Sequence, residues 1–179
     1  MRHFIVLLIA LILAACGGGP AATRSPAASP PPGLFSPGVI PAAEQLCQLL
    51  TPADWTASGL ANASQPTINS DEPGSAYCVY SGLSGGTGGL ELDVFATGSI
   101  TDANLTYDTI RESLPEPRPA SVGDAQDAVI DPRIDGDFGA IIVRKGKLVF
   151  TITAPASDNV TNQLTQLATL VLARAAGLA

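Results

Sequence analysis

The alternating apolar pattern near the carboxyl end constrains the fold more than any other feature of this 179-residue chain. In "GAIIVRKGKLVFTITA", two strand-like runs flank the turn at 145–146. In the second run Leu148, Phe150, Ile152 and Ala154 alternate with other residues. A period of two places one face of a strand against a core. The segment therefore predicts a β-hairpin with these four side chains pointing inward.

The closing segment, "SDNVTNQLTQLATLVLARAAGLA", shows the strongest helical periodicity. We expect the helix to begin at Ser157 or Asp158. Its apolar residues recur at intervals of three and four, which predicts one stripe facing the core. The stripe consists of Val160, Leu164, Leu167, Val171 and Ala175.

Two short helices are predicted at the start of the domain. The first opens at Pro41 in "PAAEQLCQLL", because proline suits a first helical turn. In "LTPADW", Thr51 and Asp54 have the spacing of an Asp variant of the capping box. Leu50 and Trp55 stand where a hydrophobic staple would close the start of this second helix.

A longer helix is predicted from Thr101, with Ile100 and Leu105 at staple positions and "PEPRP" as its terminator. Its apolar stripe consists of Ala103, Tyr107, Ile110 and Leu114.

Strand patterns lie between the helices, in "AYCVY", "LELDVFAT" and "DAQDAVID". Helices early, in the middle and at the end, with hairpin strands between them, predict an α+β fold. We expect a single domain over residues 41–179. It would contain an antiparallel β-sheet with the helices packed on one face.

The amino-terminal residues 1–15 have the pattern of a secretory signal peptide: a basic start, a short apolar run and small residues. The run is too short to span a bilayer, which needs roughly 20 apolar residues. The ending Leu13-Ala14-Ala15-Cys16 resembles the bacterial lipobox. That resemblance implies that Cys16 becomes the mature amino terminus and carries diacylglycerol. The alternative is an ordinary secretory signal in which Cys16 is incidental.

Residues 16–40 comprise this cysteine and a tether rich in Pro, Ala, Ser and Gly, with little to bury. The chain is therefore expected outside the cytoplasm, anchored by lipid to the outer face of the bacterial cell membrane. With 16 acidic and 9 basic side chains, it is not expected to bind nucleic acid.

Cys47 and Cys78 are the only other cysteines. In an exported domain an even pair favours a disulfide, here between the first helix and the first strand. The alternative is two buried thiols that act as small hydrophobic side chains.

The segment "EQLCQLLTPADW" followed by "AYCVY" resembles the opening of bacterial lipoproteins of the actinobacterial type that contain domain of unknown function 3558. "SVGDAQDAVID", "RKGKLVFTITA" and the Leu/Ala-rich closing helix are also similar to that family. Gln126 and Asp127 displace the alanine that often follows its Gly-Asp-x motif. The resemblance implies an envelope lipoprotein with a structural disulfide and no assigned catalytic residues.

Histidine is absent after His3, inside the predicted leader. Catalysis by Ser-His-Asp or Cys-His groups and histidine-built zinc sites are therefore excluded from the mature domain. No cofactor is predicted.

Aspartates are concentrated between residues 124 and 137. Asp131, Asp135 and Asp137 are weak candidates for a metal site, although their spacing misses the EF-hand pattern. A hydrolase that uses two of the acids in this segment is an alternative function. Exposed turn residues are the simpler interpretation.

Three further features offer candidate contacts. Lys145 and Lys147 flank the hairpin turn but lack a Ser-x-x-Lys motif, and "SGLSGGTGGL" lacks the ending of a phosphate loop. Trp55 would be the first candidate for ligand contact if it were exposed. We expect a non-catalytic domain that binds an envelope protein or a small hydrophobic ligand; a sensory or structural ectodomain module is a further alternative.

Overall fold

The computed structural model of the protein describes residues 35, 39–60, 63–70, 72–80, 89–134 and 136–178. Within these residues one seven-stranded antiparallel sheet and four helices form the domain. The strands are β1 Thr67–Asn69, β2 Ser75–Tyr80, β3 Leu90–Ala96, β4 Arg118–Pro119, β5 Asp127–Ile134, β6 Phe138–Lys145 and β7 Leu148–Pro155. The helices are α1 Ala43–Cys47, α2 Pro52–Ala57, α3 Ile100–Glu112 and α4 Val160–Arg174. The predicted α+β class is confirmed.

The strand order is β1-β2-β3-β7-β6-β5-β4. The predicted hairpin of β6 and β7 is confirmed, with Lys145 paired to Leu148. Because β7 inserts between β3 and β6, the carboxyl-terminal strand lies at the centre of the sheet. Leu148, Phe150 and Ile152 are fully buried there.

Cross-strand pairs define the two faces of the sheet. Ile130, Ile141, Ile152, Leu92 and Cys78 form one row across five strands, because each is paired with the next. Directly opposed residues of an antiparallel sheet point to the same face. This row belongs to the larger core cluster, which defines what we call the inner face.

The inner face is covered by α4 and by α1. All five residues of the predicted α4 stripe are at most 2% exposed. Helix α4 packs against β5, β6 and β7, while α1 packs against β1, β2 and β3. The helix begins at Val160 after Asn159, slightly later than the Ser157 or Asp158 predicted from the sequence.

Helix α3 covers the opposite, outer face, which corrects the expectation that all helices pack on one side. Its buried residues Ala103 and Tyr107 share a second cluster with Ala140, Ile142 and Val149. Strands β6 and β7 have apolar side chains on both faces, and burial of both requires cover on both sides. Further along the outer face, Asp93 and Tyr77 replace the apolar residues.

The predicted capping box of α2 is present. The Thr51 hydroxyl accepts from Asp54 N–H, and the Asp54 carboxylate accepts from Thr51 N–H at 2.7 Å. At the other end Gly59 has φ 87°. Leu60 N–H donates to the Trp55 carbonyl and Gly59 N–H to that of Thr56, which is a Schellman ending.

Two further helix starts differ from the sequence predictions. Helix α1 begins at Ala43 instead of Pro41. Helix α3 begins at Ile100, because the Ser99 hydroxyl caps it by accepting from Asp102 N–H. The staple predicted for Ile100 and Leu105 is wrong, since these side chains are 55% and 69% exposed.

Phe35, within the predicted tether, is partly buried against the inner-face core. Its carbonyl oxygen lies 2.7 Å from where a Cβ on Gly177 would stand, so only glycine fits this close approach. The predicted signal peptide, Cys16, Asp135 and residues 81–88 of the glycine-rich segment lie outside the described residues.

Candidate functional site

A cleft of about 430 Å³ opens between α3 and the β4–β5–β6 end of the outer face. Asn104, Asp108 and Arg111 line its helix side, spaced four and three residues apart and therefore on one face of α3. Asp127 and Arg144 line its sheet side. The lining is completed by Tyr107, Pro119, Ala128 and Val129.

The charges on the sheet side are paired with each other. Asp127 on β5 is directly opposite Arg144 on β6. Arg144 donates to Asp127 Oδ2 through Nη2 and, at 2.9 Å, through Nε. Its Nη1 donates to Gln126 Oε1 at 3.1 Å. The Arg144 side chain is only 15% exposed, so this wall has a fixed shape.

The charges on the helix side have no ion-pair partner in the part of the chain that the structure describes. Asp108 and Arg111 are exposed, and neither makes an ion pair or side-chain hydrogen bond with another described residue. Tyr107 lies between the two walls and is 6% exposed. Burial, and then the charge of Asp127, raise the pKa of the Tyr107 hydroxyl, which therefore stays protonated at neutral pH. The cleft presents a fixed ion pair on one wall and two free charges on the other.

The predicted cluster of aspartates does not form one site among the described residues. Asp124 pairs with Lys145 at 2.6 Å, and Asp127 pairs with Arg144. Asp131 is 2% exposed and accepts backbone hydrogen bonds from Glu116 and Arg133 at 2.8 and 3.0 Å, so its carboxylate joins two chain segments. These carboxylates have separate structural partners.

No group of three or more His, Cys, Asp and Glu side chains in the described part of the chain is arranged to hold a metal ion. Of the weak metal candidates, Asp131 binds backbone amides, Asp137 is exposed and Asp135 is outside the described residues. Lys147 is exposed at the hairpin turn.

Trp55 is not a contact residue, because it is 0% exposed. Its ring packs against Tyr80 with centroids 5.1 Å apart. The Tyr80 hydroxyl lies 2.8 and 2.9 Å from the carbonyl oxygens of Cys47 and Leu50, to which it donates. This pair fixes the segment between α1 and α2 to β2 and is part of the core.

Cys47 and Cys78 form a disulfide, with Cα atoms 5.7 Å apart. The bond joins α1 to β2, as the sequence predicts, and its two residues are 2% and 0% exposed. It therefore lies within the inner-face core.

Sequence reasoning missed the cleft. The row of Asn104, Asp108 and Arg111 was readable from helical spacing alone. What it faces was not, because that depends on which end of the sheet α3 covers.

Comparison with known proteins gives no assignment. No protein-family model matches the chain, and no curated protein matches its sequence significantly. Among the described residues, no helix has both the length and the apolar character needed to cross a membrane.

Proposed function

We propose that the chain is a lipid-anchored protein of the bacterial cell envelope whose α+β domain binds a ligand without catalysing a reaction. The observation that carries the proposal is the Cys47–Cys78 disulfide in the core. Disulfides persist in oxidising compartments outside the cytoplasm. A leader that ends in a lipobox and a disulfide in the domain are independent features that agree on export. Membership of the family with domain of unknown function 3558 is part of the proposal and rests on the sequence motifs.

The cleft beneath α3 supports a binding function. Its volume lies within the range of small-molecule sites, roughly 300–1,000 Å³. Side chains of Asn104, Asp108 and Arg111 have no side-chain hydrogen bonds within the described residues and can bind a ligand. Their polarity favours a polar ligand over the small hydrophobic ligand expected from the sequence.

The absence of catalysis is proposed from the state of the acidic side chains. A carboxylate-based hydrolase requires two acids that face one bond of the substrate. In the 124–137 segment, Asp124, Asp127 and Asp131 are each engaged with a different partner. Asp108 shares the cleft with Asp127, but Asp127 is already paired with Arg144. This arrangement favours binding over the hydrolase alternative.

The anchor is tested by mass spectrometry of the membrane-extracted protein before and after reduction. We expect an acylated amino terminus at Cys16 and a gain of two hydrogens when the disulfide is reduced. Cys16→Ser should lose the acyl mass and leave the membrane fraction. Cys47→Ala should keep the acyl mass and remain in the membrane fraction. A native chain that starts at another residue without acyl mass would overturn the anchor.

The binding site is tested by filling the cleft. Asn104→Trp places a bulky side chain on the exposed helix side, and Thr109→Trp is a control on an exposed position of the same helix outside the lining. Native mass spectrometry of the full chain should show a bound small molecule on the wild type and on Thr109→Trp, but not on Asn104→Trp. Equal spectra for all three proteins would favour the sensory or structural module instead.

A further inference from the structure

The helix wall of the cleft holds one cation and one anion that have no ion-pair partner within the described residues, three residues apart on α3. We infer that the cleft binds a small zwitterion with one carboxylate and one ammonium group, such as a dipeptide with free termini. The inference rests on the proposed binding function and names the ligand class of that site.

Arg111 supplies the carboxylate contact. Its guanidinium has five N–H donors in a planar fork that matches a carboxylate, and it is the only arginine of the cleft whose donors are unused within the described residues. Arg144, in contrast, already donates to Asp127 and Gln126. A ligand carboxylate therefore meets a free partner at Arg111 and does not have to displace Asp127.

Asp108 supplies the ammonium contact. Side chains three apart on a helix have Cβ atoms about 5–6 Å apart. An extended chain advances about 3.3–3.6 Å per residue. The charged ends of a dipeptide are therefore about as far apart as the Cβ atoms of Asp108 and Arg111. One dipeptide can therefore reach both Asp108 and Arg111.

The charge balance of the whole cleft disfavours other ligand classes. Asp108 and Asp127 face Arg111 and Arg144, so the lining is neutral in sum. A phosphate dianion would meet two carboxylates, and a simple cation would meet two guanidinium groups. A neutral sugar could hydrogen-bond to Arg111 and Asp108 but would supply a counter-charge to neither. The zwitterion is the class that matches both free charges.

The remaining lining suits the uncharged part of such a ligand. Tyr107 and Val129 offer apolar surface between the two walls. Asn104 adds one amide that can donate to, and accept from, a peptide group.

The test is isothermal titration calorimetry on the full lipid-bearing chain in non-ionic detergent, with L-alanyl-L-alanine as the probe. We expect this dipeptide to bind. Its N-acetylated and C-amidated forms should each bind at least about tenfold more weakly, because each loses one charge-assisted contact. The capped forms have nearly the same size and shape, so they isolate the charges.

Two variants assign each charge to its residue. Arg111→Gln should weaken binding of the free dipeptide by about tenfold. This variant should then bind the free and the C-amidated dipeptide with equal affinity. Asp108→Asn should have the same effect for the acetylated form. Arg133→Gln, which removes an exposed arginine outside the cleft, should leave the affinity unchanged. Equal thermal midpoints would show that each variant remains folded.

The inference is overturned if the dipeptide gives no binding heat, if the capped forms bind equally, or if glucose binds and the dipeptide does not. Any of these results with an acylated, disulfide-bonded protein leaves the envelope anchor standing. If the wild type then still carries a small molecule that Asn104→Trp lacks, the binding function stands and only the zwitterion is wrong. Equal native mass spectra of these two proteins would instead show that the binding function itself has failed, so the two failures are distinguishable.

Discussion

Arg174, in the last turn of α4, forms a two-point ion pair with Asp54 in the first turn of α2. The Nη1–Oδ2 and Nη2–Oδ1 distances are 2.6 and 2.9 Å, and the side chains are 15% and 13% exposed. Arg174 also donates to the Leu49 carbonyl at 2.9 Å. Burial opposes ionisation of Asp54, but hydrogen bonds from Arg174 and Thr51 hold its pKa below the usual value. The end of the chain is thereby tied to the start of the domain.

Replacing Arg174 with glutamine should lower the free energy of unfolding by about 2–4 kcal/mol, because Asp54 then remains partly buried without its cation. Urea denaturation at neutral pH and low salt measures the change, because this denaturant is uncharged and does not screen the pair. Arg133→Gln, at an exposed position, should stay within about 0.5 kcal/mol of the wild type.

The double variant Asp54→Asn/Arg174→Gln should cost less than the sum of the single changes, because neither charge is left alone. If the loss of stability in the double variant equals the sum of the losses in the two single variants, the pair does not couple α2 to α4.

The Cys47–Cys78 disulfide should contribute roughly 3.5 kcal/mol, since it closes a loop of about 30 residues in the unfolded chain. The variant Cys47→Ala/Cys78→Ala should therefore unfold at a lower guanidinium concentration than the oxidised wild type. Because the two cysteines are at most 2% exposed, a reductant should act on the native protein only after it opens. An unchanged unfolding midpoint after full reduction would contradict this role.

Local patterns in the sequence predicted the elements whose determinants are local. The α4 stripe and the alternation of β7 follow from spacing within one segment, and all of those residues are buried as expected. The Thr51–Asp54 capping box likewise depends on four consecutive residues. Each of these features is specified by residues within its own segment and does not depend on strand order.

The features that sequence analysis missed depend on strand order. Insertion of β7 between β3 and β6 creates a second apolar face that α3 covers. One signal was present: the unbroken run Ala140–Val143 indicates burial on both sides of a strand. The cleft requires the same information, because it forms only where α3 crosses the β4–β5–β6 end of the outer face.

Gly139 on β6 lies where the start of α4 crosses the sheet. A Cβ there would stand 2.9 Å from Val160 Cγ2 and 3.1 Å from the Pro132 carbonyl oxygen. Gly139→Ala should therefore destabilise the protein by about 1–3 kcal/mol through overpacking, measured by chemical denaturation.

Gly98→Ala is the matched control, since its nearest neighbour, Asp102 Oδ2, is at an ordinary 3.7 Å. Val160→Ala should cost less stability in the Gly139→Ala background than in the wild type, because there it also removes one of the two clashing groups. Equal stability of the two alanine variants would show that β6 and α4 do not require the close approach.

Asp93 on β3 stands on the outer face, opposite Tyr77 and Thr151. Burial, and then the charge of Glu91, raise the pKa of the Asp93 carboxyl to about 6. In the unfolded chain the pKa of an aspartate is about 3.9. Between these two values the folded state binds the extra proton, so this group makes the protein less stable as the pH rises from about 4 to about 6.

Asp93→Asn removes the half-buried charge and should stabilise the protein at pH 7.5 by about 1–2 kcal/mol, a value reduced for partial solvent screening. The gain should shrink as the pH falls through 6 and nearly vanish near pH 4, where the wild-type carboxyl is protonated in the fold. Denaturation curves of both proteins at several pH values measure the difference. Asp137→Asn, at an exposed site, is the control and should stay within about 0.5 kcal/mol of the wild type at pH 7.5. Loss of a buried charge produces a stability difference between Asp93→Asn and the wild type that follows the titration of Asp93. A stability difference that stays constant with pH would instead be caused by packing of the amide and would contradict the prediction.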